Sequence, residues 1–239
     1  MSFQAYLKQA ACDYCLELTD KMLQQFDRYC ELLLAWNEKI NLTAITDPQE
    51  VAVKHMIDSL TCWDAARFKA DCRVIDVGTG AGFPGIPLKI FQPQIHLTLL
   101  DSLNKRVRFL QTVVDELGLE NVQCIHARAE EGARNKALRE QYDLAVSRAV
   151  ARLPILAEYC LPFVKVGGTF AALKGMKYGE EAEEAQKALK LLGASKAESV
   201  PVKLPYLDDK RAVVYCNKVR PTSKTYPRKA GTPEKNPLV

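Results

Sequence analysis

Three glycines set two residues apart, Gly78, Gly80 and Gly82, follow directly on the apolar run Val74-Ile75-Asp76-Val77. Such a turn at a strand end bends the backbone sharply and clears side chains from the space an adenosyl or phosphoryl group would fill. Two cofactor classes use it. Gly80, Gly82 and Gly85 also satisfy the G-x-G-x-x-G spacing of dinucleotide sites. Read from Gly78, however, the spacing is G-x-G-x-G, with bulky Phe83 where the dinucleotide pattern places its third glycine. Asp76, two residues before the turn, would repel a pyrophosphate but suits the amine of an amino-acid moiety. Adenosylmethionine carries that amine and a nicotinamide dinucleotide does not. Asp101 closes the next apolar run, 23 positions after Gly78, where an acid takes ribose hydroxyls in both classes. Ala129 and Glu130, after the third run, would lie with their backbone against adenine, and Glu130 equally suits the first turn of a helix.

These residues need a parallel sheet to bring them together. From residue 73 onward short apolar runs alternate with amphipathic stretches: strands are expected over 73–77, 96–100, 122–126, 142–147, 168–173, 199–204 and 212–217, with helices over 84–91, 104–117, 130–140, 153–164 and 179–192. The fold expected is a doubly wound, seven-stranded, mostly parallel α/β sheet, with one of the last two strands added antiparallel as a terminal hairpin. Upstream, Leu18, Met22, Phe26, Tyr29, Leu33 and Trp36 recur at helical steps, and Asp47-Pro48 is a helix start. Residues 1–60 thus form an N-terminal helical cap, 61–217 the catalytic domain and 218–239 a basic tail within the same unit.

Composition narrows the class. A hydrophobic share of 48% and a charged share of 26% over 239 residues are those of a soluble globular protein, with no run long enough to span a bilayer. The start Met1-Ser2-Phe3-Gln4 has none of the basic segment, apolar run and cleavage site of a secretory signal, so a cytoplasmic location is expected. Eight scattered cysteines read as reduced and mostly buried, and Cys12-Asp13-Tyr14-Cys15 lacks the second ligand pair zinc would require, so packing is expected there and no metal. The tail carries six basic residues against Glu234 alone, a net +5 that exceeds the +4 of the whole chain. A segment of that kind either lies along a phosphate backbone or is simply solvated.

The run Ile75-Asp76-Val77-Gly78-Thr79-Gly80-Ala81-Gly82-Phe83-Pro84-Gly85-Ile86-Pro87, with Leu99-Leu100-Asp101-Ser102 and Lys105-Arg106, resembles the RsmG (GidB) family of bacterial 16S ribosomal RNA guanine-N7 methyltransferases. The resemblance extends through Trp36-Asn37, Asn41-Leu42-Thr43, His55-Met56-Ile57-Asp58-Ser59-Leu60, Ser147-Arg148-Ala149 and Arg228-Lys229-Ala230-Gly231-Thr232-Pro233, departing mildly at Ala230, where relatives often have proline. It implies a class I methyltransferase fold, S-adenosylmethionine as cofactor, and methyl transfer to N7 of a guanine in the decoding-region loop of the small-subunit RNA. It also implies cofactor contacts at Gly78, Phe83, Ala129, Glu130 and Arg148.

Guanine N7 offers a lone pair and no proton, so alignment rather than a general base is required. No catalytic residue is assigned. His55, Asp58 and Ser59 fit closing over a base or knitting the cap to the sheet equally well. For the RNA, the candidates are Arg148 and Lys174 at strand ends on the ligand face, Lys105 and Arg106 beside them, and Arg228 and Lys229 in the tail. The partner expected is 16S rRNA or the small subunit, with the enzyme acting as a monomer.

Overall fold

The computed structural model describes residues 2–239. Helices α1 (Phe3–Asp13) and α2 (Asp20–Ile40) begin at Ser2 and Thr19, whose hydroxyls accept from Ala5 N and Met22 N. The next helix, α3, covers 48–60. It opens as Pro48–Glu50, with the Asp47 carboxylate accepting from Gln49 N and Glu50 N. It then widens to a π-helix over Val51–Ile57 and closes as Asp58–Leu60. The sheet follows: β1 (Arg73–Val77), α4 (Gly85–Phe91), β2 (His96–Asp101), α5 (Asn104–Glu116), β3 (Val122–His126), α6 (Ala129–Gly132), β4 (Tyr142–Arg148), α7 (Leu153–Cys160), β5 (Val164–Lys174), α8 (Tyr178–Glu184), α9 (Gln186–Leu192), β6 (Glu198–Val202), β7 (Arg211–Asn217) and α10 (Thr232–Lys235).

Strand order is β3-β2-β1-β4-β5-β7-β6. The first five strands are parallel, and β7 pairs antiparallel with both β5 and β6. All seven expected strands are present, and the chain reverses its winding between β1 and β4, which opens a crevice at their carboxyl ends. Alternation along the strands sorts the core into two layers. Val74, Leu97, Leu99 and Val146 face Phe26, Tyr29, Leu33, Ile86 and Phe109 on one side. Ile75, Val77, Leu100 and Phe170 face Leu156, Phe163 and Leu189 on the other. The N-terminal helices therefore share one apolar cluster with the sheet.

Two expected helices are shorter than their periodicity suggested, and a third is divided. Over 130–140 only Ala129–Gly132 is helical; beyond it the Asn135 side chain accepts from Ala137 N and turns the backbone out of the helix. The 153–164 helix stops at Cys160, tightens to a 3-10 turn over Leu161–Phe163, and β5 starts at Val164, because Pro162 has no N–H to continue the ladder. The 179–192 stretch is two helices joined at Ala185. Among the cysteines, five are buried, but Cys12 and Cys15 are exposed, so the expected packing of the C-x-x-C pair does not hold.

Candidate active site

At the end of β1 the loop glycines take left-handed backbone conformations, with φ +71° at Gly78, +62° at Gly80 and +101° at Gly82. Gly78 N and Thr79 N both donate to Leu100 O, at 2.9 and 3.2 Å, which stitches the loop to β2. The cap holds it from the other side, where Tyr29 Oη of α2 donates to Ala81 O at 2.5 Å. Beneath the loop lies Asp76, fully buried. Its Oδ2 accepts from Thr79 Oγ1 at 2.6 Å and from Gly85 N at 2.8 Å, while Oδ1 has no partner. Burial raises its pKa to about 7, although the two hydrogen bonds pull the other way. Asp76 therefore ties the loop together from below and is absent from the cavity wall, where an amine would have to meet it.

Two cavities lie along the carboxyl ends of β1, β2 and β3. The larger, 390 Å³, is walled by Gly78, Gly80, Phe83, Asp101, Arg106 and Arg148 among others. Asp101 Oδ2 accepts from Gly80 N at 2.9 Å and Oδ1 from Leu103 N at 2.8 Å, so the carboxylate is fixed at the cavity edge, with Arg106 Nη1 3.6 Å away. A carboxylate has about four acceptor positions, and two remain for a ribose diol. A Cβ at Gly80 would meet nothing within 4 Å, so the loop leaves open space there. The smaller cavity, 120 Å³, is lined by Gly78, Ala127, Ala129, Glu130, Tyr159 and Glu234. Its wall is partly made by the tail: Glu130 Oε1 accepts from Gly231 N at 2.9 Å, and Tyr159 Oη donates to Glu234 Oε1 at 3.2 Å. Val150 lines both cavities and lies against Gly78, its Cγ2 2.7 Å from where a Cβ on that glycine would sit. A carboxylate with acceptor positions left for a diol, and a glycine loop that leaves open space beside it, fit an adenosyl group.

Arg148, the last residue of β4, forms the far wall of the larger cavity. Its guanidinium sits 4.7 Å from the centre of the Phe83 ring. Nη1 donates to Lys54 O at 3.0 Å and to Asp58 Oδ2 at 2.8 Å, and Nη2 reaches His55 Nδ1 at 3.3 Å. All three partners come from the π-wound part of α3 or the residue that closes it; such widened turns recur at functional sites. His55 stacks on Phe83 at 4.6 Å and its Nε2 lies 2.7 Å from Thr43 Oγ1. Burial, then the Arg148 charge, push its pKa down to about 3, so the ring is neutral, with Nδ1 3.3 Å from both Arg148 Nη2 and Lys54 O. Asp58 Oδ1 takes a second guanidinium, Arg211 Nη1 at 3.0 Å. Beyond Arg148 opens a third cavity, of 360 Å³, lined by Lys54, His55, Asp58, Arg148 and Arg211 among others.

The basic candidates divide sharply. Lys105 and Lys229 are exposed and Arg106 is half-buried at the cavity rim. Lys174, expected to reach RNA, is instead turned inward: its Nζ pairs with Glu181 at 2.7 Å and donates to Ala151 O at 2.8 Å, with 9% of the side chain exposed. Arg228 is also committed elsewhere. Its backbone N and guanidinium make four hydrogen bonds, 2.7–3.1 Å long, to the buried carboxylate of Glu158. Lys218 is buried as well, donating to Leu161 O, Val164 O and Thr222 Oγ1. The tail is thus a docked segment rather than an extended basic arm. Arg211 was not singled out from the sequence, where it lies in the charged run Asp208-Asp209-Lys210-Arg211 just ahead of the apolar core of β7.

The fold and this crevice are those of class I adenosylmethionine-dependent methyltransferases. The chain is similar in fold, at a TM-score of 0.50 and 16% identity, to the M. jannaschii TYW2 protein, whose structure is a complex with AdoMet; the match covers 66% of this chain and 78% of that one. The family model described as GidB, rRNA small subunit methyltransferase G, matches residues 22–209. The chain is 50% identical to the ribosomal RNA small subunit methyltransferase G of Desulforamulus reducens over 233 residues, 98% of this chain and 97% of the relative. It is equally similar, 50% over 238 residues and the whole of both chains, to that of Alkaliphilus metalliredigens. The chain belongs to the rRNA small subunit methyltransferase G family, with β7 and the tail lying beyond the part the family model matches.

Proposed function

We propose that this enzyme methylates 16S rRNA of the small ribosomal subunit, at N7 of a guanine in the decoding-region loop, with S-adenosylmethionine as methyl donor. The observation that carries the reading is the placement of Arg148 and His55 on the wall shared by the cavity at the glycine loop and the 360 Å³ cavity beyond it. Two ligands seated in adjoining cavities meet at that wall, which is the requirement for direct methyl transfer. When bound, the cofactor supplies a methyl group on a positively charged sulfur. In this reading Gly78 and Gly80 leave its path clear, Asp101 takes the ribose hydroxyls, Ala129 and Glu130 border the adenine, and Phe83 and Arg148 flank the amino-acid arm. Asp76 and Gly82 shape the loop without touching the ligand.

N7 carries its lone pair in the plane of the ring and loses no proton on methylation, so the side chains here act by orientation and by field. His55, held neutral, adds no cation where the guanine gains positive charge. The two guanidinium groups on Asp58 hold that carboxylate in place. Exposed Lys105 and Lys229, with Arg106 at the rim, are the residues left for RNA phosphates. No helix among the described residues is long and apolar enough to cross a membrane; the cytoplasm, where the substrate is made, and action as a monomer belong to the same proposal. The test is mass mapping of 16S rRNA from a strain lacking this gene, with methylation of its isolated small subunits by the purified enzyme. Restored 7-methylguanine in the decoding-region loop is expected; an unchanged inventory, or methyl label elsewhere, overturns the reading.

A further inference from the structure

The 360 Å³ cavity has a polar pattern that goes beyond room for a base. Starting from the cofactor cavity and crossing the shared wall, the groups met are first the Arg148 guanidinium and then the Asp58 carboxylate, joined at 2.8 Å. Around the edge of guanine, starting from N7, the groups are first O6, an acceptor, and then N1–H and the N2 amine, both donors. The two sequences are complementary in order and in polarity. We infer that Asp58 is the specificity-determining residue for the target base, its carboxylate reading N1–H and the N2 amine of guanine while Arg148 covers O6 and N7 faces the methyl donor.

The carboxylate has the capacity for this. Arg148 Nη1 occupies one oxygen and Arg211 Nη1, at 3.0 Å, the other, which leaves about half its acceptor positions. The same ion pairs fix its orientation: its side chain is only 8% exposed, and a group so held has little freedom to adapt to a different edge. Adenine would meet the site with reversed polarity, its N6 amine against the guanidinium and its N1 lone pair against the carboxylate. Both contacts would be repulsive and desolvated, which is a strong form of discrimination. His55, which lines this cavity and is backed by Phe83 stacked at 4.6 Å on its far side towards the glycine loop, gives the ring of a flipped-out base an aromatic neighbour.

This inference rests on the proposed function, and its test separates the two. Small subunits are reconstituted with 16S RNA that carries either guanine or inosine at the target position, inosine differing only in lacking the N2 amine. Methylation at N7 is followed with wild-type enzyme and with Asp58→Asn, and the guanine-to-inosine ratio of kcat/KM is compared within each enzyme, so that any unfolded fraction cancels. Loss of a hydrogen bond to a charged group corresponds to about 10–100-fold, so the wild type should prefer guanine by about that factor and Asp58→Asn should compress the preference to within about threefold. If Asp58 only positions the two arginines, Asp58→Asn lowers both substrates equally and the inference fails. A wild-type enzyme that treats guanine and inosine alike overturns it without recourse to the variant. A wild type that forms no 7-methylguanine at all removes the proposed function, and this inference with it.

Discussion

Replacing Arg228 by glutamine separates a structural tail from an RNA-binding one. The Glu158 carboxylate is fully buried and Arg228 supplies four hydrogen bonds to it, one from the backbone and three from the guanidinium. Arg228→Gln leaves only the backbone bond on a buried negative charge, and breaking such a pair from one side costs about 3–5 kcal/mol. For a chain of this size, where 1 kcal/mol is worth about 2–4 °C, the melting midpoint falls by about 6–20 °C if the tail unfolds with the body. If the tail detaches alone, the loss appears as fast hydrogen exchange over residues 222–238 with the midpoint nearly kept. Glu158→Gln in the same background removes the stranded charge, so the double variant recovers about 2 kcal/mol or more relative to additivity. Calorimetry, peptide-resolved exchange and salt-dependent RNA binding are read on all four proteins. The reasoning is refuted if Arg228→Gln melts within about 1 °C of wild type with unaltered exchange, yet lowers the salt slope of RNA affinity by about one, the mark of a lost phosphate contact.

Lys174→Met strands Glu181, which also accepts from Leu153 N at 2.8 Å; it should cost about 1–3 kcal/mol in denaturant unfolding and leave the salt slope of RNA binding unchanged. Asp101→Ala should weaken adenosylmethionine binding about 10–100-fold by titration calorimetry, with circular dichroism unchanged. His55 and Asp76 pull the pH dependence of stability in opposite directions. His55, lowered from 6.5 to about 3, refuses a proton that the unfolded chain accepts; its contribution is complete above pH 6.5 and is lost as pH falls towards 3, so urea midpoints of His55→Gln should fall less than wild type between pH 7 and 5. Asp76, raised from 3.8 to about 7, holds a proton that the unfolded chain releases; its contribution is present below 3.8 and is lost as pH rises to 7, so Asp76→Asn, which keeps an acceptor for Thr79 and Gly85, should be the more stable protein at pH 8.

Period and punctuation carried most of the sheet. The alternation from Arg73 onward, with glycines after Val77, set all seven strands to within a few residues, because a parallel strand buried on both faces reads as an apolar run. Helix ends were less legible where side chains compete for the backbone, as at Asn135, or where proline sits inside an apolar stretch, as at Pro162. In the site, residues that touch space were readable: Gly78, Gly80, Asp101, Ala129 and Glu130 all reach the cavities. Those whose side chains are claimed by a partner were not. Nothing local tells that Arg228 will find Glu158, 70 positions away; Lys174 and Asp76 find nearer partners, Glu181 and the Thr79–Gly85 turn, but residue type alone does not say whether such a side chain turns inward or into the cavity. Arg211 was overlooked for the same reason: its role depends on Asp58, 153 positions away.

Val150 gives the crevice a kinetic character. It rests on Gly78 at the saddle between the two cavities, and it follows Ala149, whose φ of +55° is a backbone state that side chains disfavour. Because Val150 lines both cavities, a ligand that spanned them from Asp101 to Ala129 would have to pass its side chain, and its apparent affinity would include the cost of moving it. Trimming the plug, as in Val150→Ala, should quicken association more than it slows departure.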